Sequence, residues 1–380
     1  MKCKNKHFFW SYFQLFVTIF YFVTSQAQDK IKGFSLLSGL GHLASIQLYF
    51  YICTSIFKSV MKKSIFYILL FLFSKIIQAQ TKMIAPPHLK KGDTVAIVAT
   101  ARKNIDDNLK FATELLQSWG LNVKVGSTIG LDLNQLAGTD AQRAEDFQTQ
   151  MDDQNIKAIW CVRGGYGTVR MIDLLDFTKF KQQPKWVIGF SDVTVLHSHL
   201  TTLGYKSIHG IMPVSSKATE EAKESLRISL FGEKLKYEID AHPMNRKGTA
   251  SGVLVGGNLS ILYSLFGSKS AIDCSDKILF MEDLDEYLYH IDRMMINLQR
   301  NGCLESIKGI VVGGMTKMKD NDIPWGKNAL EIIDDVTKKY NIPVIYNFPA
   351  GHIQDNRALI IGNKVTVDVD GDCSKVTFEN

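Results

Sequence analysis

The sequence has 380 residues, of which 46% are hydrophobic, and this is enough apolar material for two globular domains. Its net charge of +6 is unevenly placed, because residues 1–79 carry nine Lys and one acidic residue, Asp29. The remaining residues hold 35 Lys and Arg against 37 Asp and Glu, a net charge of −2. This balance, with no basic patch interleaved with aromatic residues, argues against a nucleic-acid partner.

Two N-terminal segments are typical of export signals. Residues 1–27 and 61–79 each combine a Lys-containing start, a short apolar run and a small residue before a Gln. We therefore predict that residues 1–80 are a leader, that translation starts at Met61, and that the protein is exported to the periplasm. It would be cytoplasmic if the leader were not functional. A retained anchor is the alternative, but both apolar runs are shorter than the roughly 20 residues of a membrane span, so no stable span is expected in the mature form.

From Thr81 onward, apolar runs alternate with helical stretches, which indicates an α/β fold. Predicted strands cover 94–100, 121–125, 156–162 and 186–190, and predicted helices cover 107–119, 141–152, 169–175 and 193–203. The strand runs are almost continuously apolar, as in parallel strands that are buried on both faces. Residues 81–217 are therefore predicted to form a Rossmann- or flavodoxin-like domain, with a parallel sheet between helices.

The composition changes after this domain. Residues 218–250 are polar and charged, and we predict that they are a linker between domains. Residues 251–380 then form a second α/β domain. Its predicted strands are 278–281, 309–312, 344–346, 358–361 and 364–369, and its predicted helices are 291–300 and 329–338.

The six cysteines stand at positions 3, 53, 161, 274, 303 and 373. No grouping of Cys and His has the spacing of a zinc site, so neither a metal nor a cofactor is expected. An exported protein can oxidise a pair of thiols, but the spacing selects no pair. Free buried thiols are the favoured interpretation.

Ser191 and Asp192 stand between a predicted strand and a predicted helix. A Ser on such a tight turn exposes its hydroxyl beside helix N–H groups that favour negative charge. The pattern resembles a nucleophile elbow, with Gly189 two residues before the Ser but Val193 two residues after it. Taken alone, the stretch favours the simpler interpretation that both side chains cap the helix.

A glycine-rich turn, RGGYG over 163–167, follows another predicted strand. Its glycines let the backbone approach a ligand and direct N–H groups towards it, which suits an oxyanion hole or a phosphate site. The spacing matches neither a Walker loop nor a dinucleotide-binding loop. An ordinary tight turn is an equally good interpretation.

Acidic residues and one loop His complete the set of candidates. Glu282 and Asp283 end a predicted strand, with Glu286 close behind, and adjacent acids can orient a His, hold a metal or simply face water. His352 follows Gly351 in a loop and is free to reach into a cleft. Three other histidines compete for the role of a base, namely His197, His199 and His209.

Together and in this order, these segments resemble the LD-carboxypeptidase family, which includes the microcin C self-immunity hydrolases. The resemblance covers residues 83–369. The motifs that carry it are GDTVA at 92–96, RGGYG at 163–167, GFSD at 189–192, GGNL at 256–259, MED at 281–283, IDR at 291–293 and GH at 351–352.

The resemblance implies a catalytic triad. Ser191 would be the nucleophile, His352 the general base and then acid, and Glu282 the carboxylate that holds the His tautomer. Glu286 is the alternative carboxylate. Since the Ser lies in the first domain and the other two residues in the second, the active site would lie between the domains.

The resemblance also implies a substrate, which is a murein tetrapeptide that loses its terminal D-alanine. Backbone N–H groups of Asp192 and of the Gly164–Gly165 turn would form the oxyanion hole. Arg163 and Arg293 are candidates to bind the terminal carboxylate, and an ion pair is the alternative role for each. A small β-rich second domain and a homodimer are expected as well.

Two other functions compete with this one. An amidase of the microcin C immunity type would use the same triad on an aminoacyl-nucleotide amide, but it should stack the nucleotide on an aromatic residue, and residues 218–250 offer only Phe231 and Tyr237. A non-catalytic protein that binds murein peptides is the third interpretation. The sequence ATAR at 99–102 replaces the family's Pro-Ser-Gly-like turn beside the cleft, and this departure bears on substrate preference.

Overall fold

The structure is a computed structural model that describes residues 83–104 and 109–379. The predicted leader, with Met61, lies outside the described residues, and so does the first part of the predicted helix 107–119. Within the described ranges, no helix combines the length and the apolar character that crossing a membrane requires.

The first sheet contains five parallel strands in the order β2-β1-β3-β4-β5. The strands are β1 (Thr94–Val98), β2 (Asn122–Val125), β3 (Ile156–Cys161), β4 (Trp186–Gly189) and β5 (Ser207–His209). The helices that accompany them are α1 (Leu109–Ser118), α2 (Asp140–Asp152), α3 (Thr168–Met171), α4 (Thr178–Gln182), α5 (Thr194–Thr202) and α6 (Glu220–Phe231). Nearly every side chain of β1, β3 and β4 is buried, because the layers pack on both faces of the sheet.

The second sheet has seven strands, and its parallel half, β7-β8-β9-β10, is extended by antiparallel strands. The remaining strands in chain order are β6 (Lys236–Asp240), β7 (Gly248–Asn258), β8 (Lys277–Leu284), β9 (Gly309–Thr316), β10 (Val344–Ile345), β11 (Leu359–Ile361), β12 (Lys364–Val369) and β13 (Cys373–Phe378). The remaining helices are α7 (Leu259–Leu265), α8 (Leu288–Arg300), α9 (Cys303–Ser306) and α10 (Ala329–Thr337). The predicted α/β class is confirmed, with a mostly parallel first sheet and a second sheet in the C-terminal part.

Two segments differ from the sequence-based interpretation. Residues 218–250 contain α6, β6 and the start of β7, and their polar side chains belong to exposed faces of these elements. Strand β6 shows why the composition misleads, because it is an edge strand that alternates exposed charges with the buried Tyr237. Strand β11, predicted within the second domain, pairs antiparallel with β5 and completes the first sheet as its sixth strand.

Cys274 and Cys303 form a disulfide, so the prediction of free thiols is wrong for this pair. One precedes β8 and the other opens α9, and folding brings their Cα atoms within 5.1 Å although 29 positions separate them. Sequence spacing carries no information on such a contact. Cys161 is a free buried thiol, as expected.

The end of β7 packs against the start of α5 and joins the two sheets. A Cβ atom added to Gly257 would lie 2.5 Å from Oγ1 of Thr194, so this approach requires a residue without a side chain. The next residue, Asn258, donates its backbone N–H to the same Thr194 oxygen at 2.9 Å. This contact brings the second sheet close to the helix that follows β4.

Candidate active site

Ser191 lies in the turn that leads from β4 into α5. Its φ of +62° is left-handed, a conformation that costs a non-glycine residue about 1–3 kcal/mol and recurs at functional sites. The short 3-10 turn Ser191–Val193 has no side-chain cap, and neither does α5. The capping interpretation therefore does not describe how this hydroxyl is used.

The hydroxyl of Ser191 points to His352, whose other ring nitrogen faces Glu282. Nε2 of His352 lies 3.1 Å from Oγ of Ser191, and Nδ1 lies 2.7 Å from Oε2 of Glu282. The Glu282 side chain is fully buried, whereas that of His352 is 16% exposed. The three residues thus form one hydrogen-bonded series from a buried carboxylate to an accessible hydroxyl.

The competing residues make other contacts. Glu286 pairs with His290 at 2.5 Å, one helical turn away, instead of reaching His352.

The competing histidines are bonded elsewhere. His197 is hydrogen-bonded to the carbonyl of Gly189 and to the hydroxyl of Ser207, and His199 is hydrogen-bonded to the hydroxyl of Ser270. His209 is fully buried, with its ring against those of Phe190 and Phe280.

The electrostatics of the site follow from the burial of Glu282. Burial by itself would lower the pKa of His352, but the charge and the hydrogen bond of Glu282 outweigh it and raise that pKa above 6.5. The neighbouring Asp283 is buried beside a second carboxylate, and these two effects, in that order, raise its pKa to about 7. The site therefore favours an imidazolium and resists a second negative charge.

Asn258 and Gly351 support Glu282, and sequence reasoning did not assign them a role. The side-chain amide of Asn258 donates to Oε1 of Glu282 at 3.3 Å and to Oδ1 of Asp283 at 2.9 Å. Gly351 has a φ of +107°, and a Cβ there would lie 2.7 Å from Cβ of Glu282. Asn258 belongs to the GGNL motif and Gly351 to the GH motif, so a signal was present in the sequence.

The glycine-rich turn packs directly on the nucleophile. A Cβ added to Gly164 would lie 2.8 Å from Cβ of Ser191 and 3.3 Å from the backbone nitrogen of Asp192. Gly165 has a φ of +113° and packs against the side chain of Arg102. The predicted oxyanion-hole residues are therefore brought together around Ser191.

The two predicted carboxylate-binding arginines lie in different settings. Arg163, at the start of the turn, is half-buried and donates to the carbonyl of Lys103 at 3.1 Å. Arg293 is exposed on α8 and lies over the ring of Tyr289, 5.2 Å from its centroid. Arg163 is next in sequence to Gly164, which packs on Ser191. Among the described residues, no cluster of three or more His, Cys, Asp or Glu side chains could hold a metal.

A serine, a histidine and a buried carboxylate in this series are the arrangement of a serine hydrolase. Residues 95–210 match the LD-carboxypeptidase N-terminal domain and residues 251–367 the LD-carboxypeptidase C-terminal domain. The chain belongs to the LD-carboxypeptidase family and is a serine-type LD-carboxypeptidase.

Individual relatives agree with this assignment. The probable murein peptide carboxypeptidase of Bacillus subtilis strain 168 is 34% identical over 295 residues, which cover 74% of this chain and 91% of that protein. The crystal structure of muramoyltetrapeptide carboxypeptidase from Oxalobacter formigenes superposes with a TM-score of 0.69 at 25% identity, over 76% of this chain and 99% of that one. The microcin C7 self immunity protein in complex with aspartyl sulfamoyl adenosine superposes with a TM-score of 0.70 at 20% identity, over 78% of this chain and 99% of that one. This similarity shows a shared fold.

Proposed function

We propose that the protein hydrolyses the amide bond between an L- and a D-residue and releases the terminal D-alanine of murein tetrapeptides. The observation that carries this proposal is the series Ser191–His352–Glu282, with separations of 3.1 and 2.7 Å. The names of the relatives from Bacillus subtilis and Oxalobacter formigenes support the choice of a murein peptide.

The three residues of the series share the steps of the reaction. Oγ of Ser191 attacks the carbonyl carbon while Nε2 of His352 takes the hydroxyl proton, and Glu282 stabilises the imidazolium. Backbone N–H groups of Asp192 and of the 163–167 turn stabilise the oxyanion. The C–N bond then breaks as His352 returns the proton to the leaving amine of D-alanine. A water molecule, deprotonated by His352, then attacks the acyl carbon, and the ester bond to Ser191 breaks as His352 returns that proton to Oγ.

The free carboxylate of the substrate requires a cation or a cluster of N–H groups. Arg163 suits this task because it adjoins Gly164, which packs on Ser191. Arg293, exposed on α8 over the ring of Tyr289, is the second candidate. Replacing Arg163 with Gln should raise KM with little change in kcat, since a group that binds substrate and transition state equally affects KM.

We also propose that the protein works in the periplasm, as a homodimer. The Cys274–Cys303 disulfide supports an oxidising compartment. N-terminal sequencing of the exported protein tests this, with a start at or near Gln80 expected and an intact Met1 contradicting it. Analytical ultracentrifugation of the same material tests the dimer.

The reaction is tested by mass spectrometry of a murein tetrapeptide and of the matching pentapeptide, each incubated with the purified protein. Loss of one alanine from the tetrapeptide alone, absent in Ser191→Ala, is the expected result, and EDTA should leave the rate unchanged. An unchanged tetrapeptide would contradict the proposed substrate. Cleavage of an aminoacyl-nucleotide amide would then favour the immunity-type activity, and binding without turnover would favour a murein-peptide binding protein.

A further inference from the structure

Two ionisable side chains, one of them in the nucleophile turn itself, are buried near Ser191. Arg143, on α2, is completely inaccessible, and Asp192, next to Ser191, is 1% exposed. Burying a charge is costly unless it is paired and hydrogen-bonded. Arg143 is paired with Asp140, and the other hydrogen bonds of the two buried side chains indicate what their burial does for the structure.

Apart from the ion pair of Arg143 with Asp140, the hydrogen bonds of these two side chains run to loop backbone. Nη1 of Arg143 donates to the carbonyl of Thr100 at 2.8 Å and to that of Gly167 at 2.9 Å, which links the loop after β1 to the turn after β3. Oδ2 of Asp192 accepts the backbone N–H of Thr168 at 2.8 Å, which links the turn after β3 to the nucleophile turn after β4. The loops after β1, β3 and β4, which are neighbouring strands of the first sheet, are thus tied together at its carboxyl edge.

We propose that Asp192 and Arg143 are positioning residues that hold the 163–167 turn against Ser191. This inference rests on the proposed function, because it concerns the spacing of the N–H donors on the two sides of the oxyanion. The 163–167 turn packs closely on Ser191, since a Cβ on Gly164 would lie 2.8 Å from Cβ of Ser191. Donors of this kind act only when they are held in place before the charge develops.

The test compares Asp192→Ala, which removes the acceptor for the Thr168 N–H, with Asp192→Asn, which keeps an acceptor oxygen of the same reach. Loss of a well-placed oxyanion donor lowers kcat by about 100-fold or more. We therefore expect about that loss of kcat in Asp192→Ala with KM within about threefold of the parent value. Asp192→Asn should recover at least a tenth of the parent kcat. Asp173→Ala, an exposed Asp in the helical turn after α3, is the matched control.

A second readout separates this inference from the choice of substrate. The rate at which a fluorophosphonate probe labels Ser191 should follow the same order of variants even if no murein peptide is cleaved. The Thr168 amide should also be protected from hydrogen exchange in the unaltered protein, and this measurement needs no variant to fold. Equal labelling by the parent and Asp192→Ala, no advantage of Asp192→Asn over Asp192→Ala, or rapid exchange of the Thr168 amide would each overturn the proposal.

Discussion

One oxygen of Glu282 accepts two hydrogen bonds from His352, from Nδ1 at 2.7 Å and from the backbone N–H at 3.2 Å. The carboxylate therefore fixes both the ring and the main chain that carries it. Because Nδ1 must bear a proton to make this bond, Nε2 is left with its lone pair towards Ser191. A single buried acid thus sets the tautomer and the position of the base.

The first prediction concerns the choice between two carboxylates. Glu282→Gln presents its amide group to Nδ1 and favours the wrong tautomer, so kcat should fall by about 10⁴-fold, as for comparable changes in serine proteases. Glu286→Gln is the matched control and should stay near the parent activity, because Glu286 contacts His290. Steady-state hydrolysis of a murein tetrapeptide measures both. A large loss in Glu286→Gln with an active Glu282→Gln would reverse the assignment.

The second prediction is a pH profile. Burial lowers the pKa of His352, but the charge and hydrogen bond of Glu282 raise it by more than burial lowers it. The pKa in the folded protein therefore lies above 6.5. Protonated His352 cannot accept the Ser191 proton, and kcat/KM should therefore fall with decreasing pH along a limb centred above pH 6.5. The same shift stabilises the fold most below pH 6.5, and this stabilisation is lost as pH rises through the raised pKa.

A control isolates the cause of that limb. In Glu282→Gln the opposing effect of burial remains while the attraction is gone, so the limb of the residual activity should move to lower pH. The profile is measured as kcat/KM between pH 5 and 9 at constant ionic strength. An acidic limb that stays in place in Glu282→Gln would show that another group controls it.

Much of the site was accessible from sequence because local patterns mark strand ends. Ser191 follows a fully buried apolar run, Glu282 ends another, and His352 lies in a glycine-containing loop. Since the carboxyl ends of parallel strands in one sheet gather at one edge, Glu282 and His352 are expected to meet. Ser191 follows a strand of the other sheet, and only the contact of β7 with α5 shows how it reaches them. The choice between Glu282 and Glu286 required coordinates, because the two lie only four positions apart and the sequence does not show that the first is buried in β8 while the second, beyond the strand, pairs with His290.

Long-range pairings were beyond the reach of sequence patterns. Strand β11 has the apolar composition of either sheet, and only its antiparallel register with β5, from Leu359 opposite His209, assigns it to the first. The Cys274–Cys303 contact likewise depends on how α8 and α9 pack on β8. Residues 218–250 misled for another reason, since an exposed edge strand and the outer face of a helix are polar without being a linker.

The third prediction tests the closeness of the glycine turn. In Gly164→Ala the new methyl group would lie 2.9 Å from Oγ of Ser191, so the hydroxyl or the turn must shift. Displacing the Ser191 hydroxyl or the turn from its catalytic position should lower kcat by about 100-fold. Gly210→Ala is the matched control, because its Cβ would meet Ala358 at an ordinary 3.5 Å. Comparable activity in the two variants would mean that the turn moves to accommodate the methyl group without displacing Ser191.

The fourth prediction concerns the disulfide. Cross-linking positions 29 residues apart restricts the unfolded chain, so replacing Cys274 and Cys303 together with Ser should cost about 3–4 kcal/mol and lower Tm by roughly 5–15 °C. Cys274 and Cys303 are only 6% and 2% exposed, so a reductant has poor access to the bond and the double variant is the better test.

Activity at 25 °C should survive this replacement. Cys274 precedes β8 at its amino end, whereas Glu282 lies near the carboxyl end, about 25 Å further along an extended chain. Calorimetry of the parent and the double variant measures the change in Tm, and hydrolysis of the tetrapeptide measures kcat. A thiol titration of the unfolded, unreduced parent, from residue 81 onward, should find two reactive groups, Cys161 and Cys373. Four reactive groups, or an unchanged Tm, would mean that the bond does not form in the purified protein, and the support it lends to an oxidising compartment would be withdrawn.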